Sequence, residues 1–558
     1  MHVPTGKGPL TAPSTSEEVL SHAGLVRRDG RRRPGLLPLG AEMVDAVLAH
    51  LAARMPGGAP QSVIVPDDSE PVEGMVAMAR QDLRSYRELP LRLGVRRGSA
   101  WFIARLSAAP IGELGALGEA IAEAGLGVTR VVAPDGDGVV VVDEAGGYAF
   151  LACSRCGAAA EAEVAPIAPT DHGPTEVAAG EPEVVSTPGS RRVDDVCELM
   201  GVAPRELLKT LLWRARGEVV GAREHRSSNR PSHSAPAHRH RRRWSSSACS
   251  QHASSSRLAA DSALAPTARS DYLIGALVAG DRELSPAKLA RALDVPVAAL
   301  ALATAAEVEA ATGAEVGFAG PLGLEAAVLS DTGVSASTAY VTGANRTGHH
   351  LRGVRLGRDL PGGYAAADLV VARVGDRCGV CGDGALEAGA GWRVARGSTA
   401  AAGVRVDGEG GGSVELLCEQ VALDGLEALR ALASRAAARE AALALPAFAY
   451  PAAILVVALD EAGSAVARAA ADVARAIAEL GEPVALDDRS ARAGRKLGDA
   501  ELIGWPVRVL IGRRGVDRGE AEIVLAAAKD GPRAVPLAEV AAAAVAMSAR
   551  VVGEEEAR

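Results

Sequence analysis

The stretch that decides the fold begins TPGSRRVDDVCELMGVAPRELLKTLLW, residues 187–213. Thr187–Pro188–Gly189 spells a turn, two short helical patterns follow, and a strand is expected at Thr210–Trp213. Further on, YLIGALVAG (272–280) reads as a strand and GDRELSPAKL (280–289) leads into a helix. GFAGPLGL (317–324) is a glycine-rich turn, and TGANRTGHH (342–350) ends near another strand. Together these pieces predict a small mixed α/β domain over 183–363. Two short cysteine pairs bracket it, Cys153/Cys156 and Cys378/Cys381. The sequence on either side reads as two halves of one other domain, so the middle is an insert.

Working outward, the first half runs over 17–160. LLPLGAEMVDAVLAHLAARM (36–55) sets Met43, Val44, Val47, Leu48 and Leu51 at helical spacing. A strand at Ser62–Pro66 and a helix at Val72–Tyr86 follow. Strands near Trp101–Leu106 and Gly138–Val142 enclose a helix at Ile111–Ala124. Residues 161–182 are acidic and proline-rich and read as a linker. Within the insert, residues 223–270 are rich in Arg, Ser and His, have no apolar period and read as a disordered insertion between two strands. The second half, 364–445, carries a helix at Leu423–Ala442. From Tyr450, within a last domain over 446–558, strands and helices alternate, which predicts a mostly parallel sheet. The fold class is α/β, multidomain.

A chain of 558 residues exceeds one core and predicts roughly three or four domains. Aromatics at 3% leave the cores to Ala, Val and Leu. No run of eighteen apolar residues occurs and the N-terminus lacks an apolar segment, so neither a membrane span nor a signal peptide is expected. Seven cysteines without a signal argue for a reducing cytoplasm. A net charge of −9 confines any nucleic-acid contact to local basic patches.

Several strings, in this order, resemble the bacterial-type proline–tRNA ligases, class II aminoacyl-tRNA synthetases with an inserted editing domain. They are SHAGLVRR (21–28), LPLG (37–40) and RSYRELPL (84–91), then TPG, LLKTLL (207–212), GDRELSPAKL, GFAGPLGL and TGAN, and finally LDDRSARAGRKLGDAELIGWPVRVLIG (486–512). The resemblance implies an antiparallel class II core split by the insert, an editing domain that hydrolyses tRNA mischarged with alanine, and an anticodon-binding domain for proline tRNA. It also implies a cytoplasmic homodimer. By resemblance, Lys209 and His350 are the editing residues, and Gly317, Gly320 and Pro321 form the pocket loop. The alternatives are a solvated helix-end lysine and an ordinary loop histidine.

The resemblance also implies ATP and Mg for ligation, and there the chain departs from the pattern. Adenylation builds negative charge on the α-phosphate, which fixed guanidinium groups stabilise. In the family the first such arginine sits in a long hairpin after RSYRELPL. Here PLRLGVRRGSAWFIARL (90–106) runs directly on. Arg96, Arg97 or Arg105 are the substitutes available. Glu70–Pro71–Val72 replaces the expected proline-pocket Thr-x-Glu, and the second arginine falls at Gly425 unless Arg430 recovers it. Editing is therefore expected to survive better than ligation. A working ligase with divergent motifs and a non-catalytic tRNA-binding paralogue are the alternatives.

The CxxC pairs Cys153/Cys156 and Cys378/Cys381 read first as plain turn cysteines, with a four-thiolate zinc site, whose spacing they have, as the alternative. Arg489, Arg492, Arg495 and Lys496 cluster on one turn and are expected to contact tRNA, or else to be a solvated turn.

Overall fold

The computed structural model describes residues 16–27, 35–55, 58–123, 126–169, 180–217, 270–360, 363–408, 411–437, 443, 445–526 and 531–556. The expected insertion at 223–270 lies, but for its last residue, outside the described residues. The chain divides into two compact units. One comprises 1–131, 136–149 and 389–558, and the other 132–135 and 150–388. The second unit is thus wider than 183–363. Its flanks belong to it because they bond to each other: Ile167 bridges Cys378, and Ala372 N donates to Ala162 O at 2.8 Å. Part of the expected linker, through Ala168, is therefore folded structure.

In the first unit a largely antiparallel sheet runs in the order Gln61–Ser62, Leu91–Arg97, Ala100–Ser107, Ser413–Asp424, Leu386–Asp407, Asp137–Val142, Val128–Val132. Helix Pro38–Ala53 starts on a proline, which loses no hydrogen bond in the first turn. It buries Met43, Val44, Val47, Leu48 and Leu51. Helix Gly425–Ala437 packs on it closely enough that a Cβ on Gly425 would lie 2.7 Å from Val44 Cγ1. The expected helix from Val72 to Tyr86 is shorter, Pro71–Asp82. The run at Ser62–Pro66 is strand only at Gln61–Ser62.

The C-terminal part of this unit is a five-stranded sheet in the order Val484–Asp487, Ile454–Ala458, Val507–Ile511, Glu520–Leu525, Arg533–Pro536. Ile454–Ala458 is parallel to both neighbours, while the last two strands are antiparallel additions. The sheet is mixed rather than mostly parallel, because its last two strands run antiparallel to their neighbours. Its residues Tyr450, Ile503 and Trp505 share a buried cluster with Met43 and Leu48.

The second unit holds a five-stranded sheet, ordered Leu300–Leu302, Leu208–Gly217, Ser270–Ala279, Ala327–Asp331, Tyr364–Ala367. Beside it lies a three-stranded sheet, Glu183–Ser186, His349–Val354, Tyr340–Gly343. Leu208–Gly217 and Ser270–Ala279 pair along their whole length, from Leu208↔Ala279 to Gly217↔Ser270. The strand expected at Thr210–Trp213 is therefore the middle of a longer one.

Candidate functional site

In the second unit, the glycine-rich strings gather around one histidine. Strand His349–Val354 is central in its sheet, and the register sets His350 opposite Val185 on one side and Gly343 on the other. His350 is 3% exposed. Its Nδ1 lies 2.7 Å from Thr187 Oγ1, and its ring tilts against Phe318 at 5.5 Å between centroids. Burial pulls the imidazole below its ordinary value, and a hydrogen bond to the Gly317 backbone opposes that. A desolvated ring so placed is neutral at neutral pH. Its hydrogen bonds to Thr187 and Gly317 tie the loop to the sheet.

That loop is tightly built. Asn345 takes a left-handed backbone, φ 51°, which asparagine tolerates better than most residues. From there its Oδ1 accepts from Gly320 N at 2.7 Å and its Nδ2 donates to Leu322 O at 2.7 Å. Asn345 N donates to Phe318 O at 3.0 Å. A Cβ on Gly320 would lie 1.8 Å from Gly343 O, so only glycine fits. Pro321 follows within the same clamped turn. Gly317 (φ +102°) packs its backbone on Arg191. The Arg191 guanidinium lies 5.9 Å from the Phe318 centroid and pairs with Glu315.

Lys209 stands elsewhere. Alternation along Leu208–Gly217 sends Leu208 to one face, with Tyr340 and Leu356. Lys209 goes to the other, opposite Val278, whose cluster includes Leu284 and Leu289. Its Nζ donates to Arg282 O. Burial lowers its pKa, the neighbouring Asp281 and Glu283 oppose this, and Arg373 adds to it. The expected helix end is a strand, and the lysine is half-buried. Lys209 and His350 therefore share no partner among the described residues.

The substitutes for the activation arginines do not converge either. Arg92, Arg105 and Glu419 lie in one row across three strands. Glu113, 1% exposed, receives both guanidinium groups: Arg105 Nη1 at 2.6 Å and Arg92 Nη2 at 3.2 Å. Glu419 accepts from Ile111 N at 2.8 Å and Gly112 N at 2.7 Å, closing the start of helix Glu113–Glu123. Arg96 is on the Arg105 face and pairs with Asp45 at 2.5 Å. Arg97 is on the opposite face and donates to Pro66 O. Arg430 pairs with Glu427 at 2.6 Å. Arg97 pairs with Ala100 in register, leaving only Gly98 and Ser99 where a long hairpin would carry the phosphate-binding arginine. Glu70 caps helix Pro71–Asp82 through Val72 N at 3.3 Å instead of lining a pocket. These residues do not fit ATP and its Mg.

In the C-terminal sheet, two of the expected tRNA contacts need correction. Lys496 is wholly buried, and its Nζ donates to Ala458 O at 2.6 Å. Arg489 is locked between Asp487 (2.7 Å) and Asp499 (2.9 Å). Both brace the turn: the Lys496 ammonium is buried on backbone carbonyls, and the Arg489 charge is matched by two carboxylates. Arg492 is exposed at the start of helix Ala493–Ile503. Arg495 is 42% exposed and pairs with Asp499. The sulfurs of Cys153, Cys156, Cys378 and Cys381 all lie within 4.8 Å of one another.

Comparison with known proteins agrees with this layout. Residues 253–360 match the aminoacyl-tRNA editing domain, and residues 453–546 match the anticodon binding domain. A proline–tRNA ligase of Thermoanaerobacter sp. (strain X514) is 28% identical over 393 residues, 69% of this chain but only 59% of that protein's length. The proline–tRNA ligase of Nitratidesulfovibrio vulgaris (strain DP4) is 26% identical over 596 residues, 93% of each chain. Among solved structures, prolyl-tRNA synthetase from Cryptosporidium parvum complexed with L-proline and AMP covers 97% of this chain at 9% identity, with a TM-score of 0.37. An editing domain and an anticodon-binding domain on one α/β chain define the class, that of aminoacyl-tRNA synthetases. Within it, the chain is similar to bacterial proline–tRNA ligases over most of its length.

Thr187, Asn345, Phe318 and Arg191 are site residues that the sequence reading left without a role. TPG and TGAN carried a signal for two of them: an asparagine in a turn tolerates a left-handed position.

Proposed function

We propose that this chain binds tRNA and hydrolyses a mischarged aminoacyl ester, and that it no longer activates proline with ATP. The observation that carries the second half is the buried Arg92–Glu113–Arg105 row. Guanidinium groups neutralised by a buried carboxylate cannot also stabilise a phosphate. The first half rests on the clamped loop around His350. Hydrolysis of an ester already activated needs little beyond a small pocket and a placed water. A pocket with rigid walls admits a small side chain and excludes a larger one. His350 holds the wall, and Arg191, exposed beside the loop, is better placed than Lys209 to meet a phosphate of the RNA end. Arg492 and Arg495 are the cations left to meet the anticodon arm. The chain acts as a cytoplasmic homodimer in this reading, by kinship with the family.

Lys209, bound to a backbone carbonyl on another face, favours a second reading in which tRNA is bound without catalysis. Deacylation of alanyl and prolyl esters of the same proline tRNA, beside a binding measurement, separates the two. Selective loss of the alanyl ester supports editing, and this activity should fall at least tenfold in Gly320→Ala and little in Lys209→Ala. Binding with no ester loss leaves the second reading.

A further inference from the structure

We propose that Cys153, Cys156, Cys378 and Cys381 hold one zinc ion, a site separate from the editing pocket and from the lost activation groove. The sulfur spacing suits a tetrahedral four-thiolate site. A Zn–S bond of about 2.3 Å requires sulfurs roughly 3.8 Å apart at tetrahedral edges. Cys153 Sγ and Cys381 Sγ are 3.6 Å apart, Cys156 Sγ and Cys378 Sγ 3.8 Å, and all four sulfurs fall within 4.8 Å. These separations are far beyond a disulfide's length of about 2 Å.

The backbone repeats itself around the two pairs. Each is a Cys-x-x-Cys-Gly knuckle, CSRCG and CGVCG. Gly157 N donates to Cys153 O at 3.0 Å, and Gly382 N donates to Cys378 O at 2.9 Å. Both glycines are left-handed, φ +71° and +77°. Cys153 Sγ accepts from Arg155 N at 3.4 Å, and Cys378 Sγ accepts from Val380 N at 3.4 Å, the same offset in each knuckle. Cys381 Sγ accepts from Gly384 N at 3.4 Å. Amides aimed at sulfur in this way stabilise thiolates carrying the excess charge of a four-thiolate site. The wall is close: a Cβ on Gly384 would sit 2.3 Å from Cys153 Sγ. Arg155 ties one knuckle to Asp383 beside the other.

What surrounds the sulfurs explains why a metal belongs there. The local core is small, namely Leu151, Ala160, Ala165, Ala372 and Leu386 with two of the cysteines. Cys156 and Cys378 are 222 positions apart. These few apolar contacts join segments distant in the chain, and a metal cross-link replaces a core that is missing. With four protein ligands no position is open, so the ion is structural and does not activate water.

Elemental analysis of the full chain, purified without chelator, tests this. About one zinc per chain is expected, retained in Cys197→Ser and lost in the double variant Cys156→Ser/Cys381→Ser. Should that variant not fold, the parent supplies the answer. Titrating its thiols with a mercurial should release the zinc in step with modification of the four cysteines. Hydrogen exchange over 150–169 and 371–388 should then rise while that of 454–511 holds. Iron in place of zinc, a disulfide between the pairs, or a metal-free protein whose four thiols react at once would each overturn the assignment.

Discussion

Glu113 is the residue on which the buried charge cluster of the first unit turns. It is buried beneath two arginines and is the carboxylate recorded against both. Removing one partner of a buried ionic cluster strands the rest, at a cost of about 3–5 kcal/mol. Glu113→Gln should lower unfolding stability by that order in denaturant titration, whereas Asp45→Asn, at the exposed Arg96 pair, should change it by less than about 1 kcal/mol. His350 makes a pH prediction. Its folded pKa is lowered by burial from 6.5. The unfolded chain therefore takes up the proton first as pH falls. Stability from this group is full above about 6.5 and is lost as pH drops from there toward the folded value. His350→Gln should flatten the wild-type loss of stability below pH 6.5, measured as the slope of unfolding free energy against pH.

Among the elements, the paired strands Leu208–Gly217 and Ser270–Ala279 are the backbone of the inserted unit. Their register closes on Gly217↔Ser270, so residues 218–269 connect two directly opposed positions. A two-residue Asn-Gly turn suits such a pair, and closing a shorter loop costs less entropy. Replacing 218–269 with that turn should leave deacylation within about twofold and raise the melting temperature of this unit, as calorimetry would record. Strand and turn strings were legible here: the glycine loops and the run ending at Trp213 fall where their spacing put them. The surroundings of Lys209 were not legible, because KTLL fits a helix end as well as a strand, and only cross-strand pairing shows which face it takes. Lys496 and Arg489 were misread because a basic cluster looks the same whether its charges are solvated or consumed by buried carboxylates and carbonyls. The hairpin loss was legible, since deletion shortens the string itself. The carboxylate that neutralises Arg105 was not, for Glu113 opens a helix and meets the arginine only once that helix packs on the sheet.

At the scale of the whole molecule, the match to the aminoacyl-tRNA editing domain lies in one compact unit and the match to the anticodon binding domain in the other. The loop around His350 keeps its glycines, its asparagine clamp and its buried ring. In the first unit a two-residue turn joins Leu91–Arg97 to Ala100–Ser107, and Arg105, Arg96, Arg97 and Arg430 bond Glu113, Asp45, a carbonyl and Glu427. No described helix is long and apolar enough to cross a membrane. The most direct measurement is proline-dependent ATP–pyrophosphate exchange by the full chain at saturating proline and ATP. The account predicts no exchange above the proline-free background. Turnover on the order of 1 s⁻¹ or more, as working enzymes commonly reach, would contradict it.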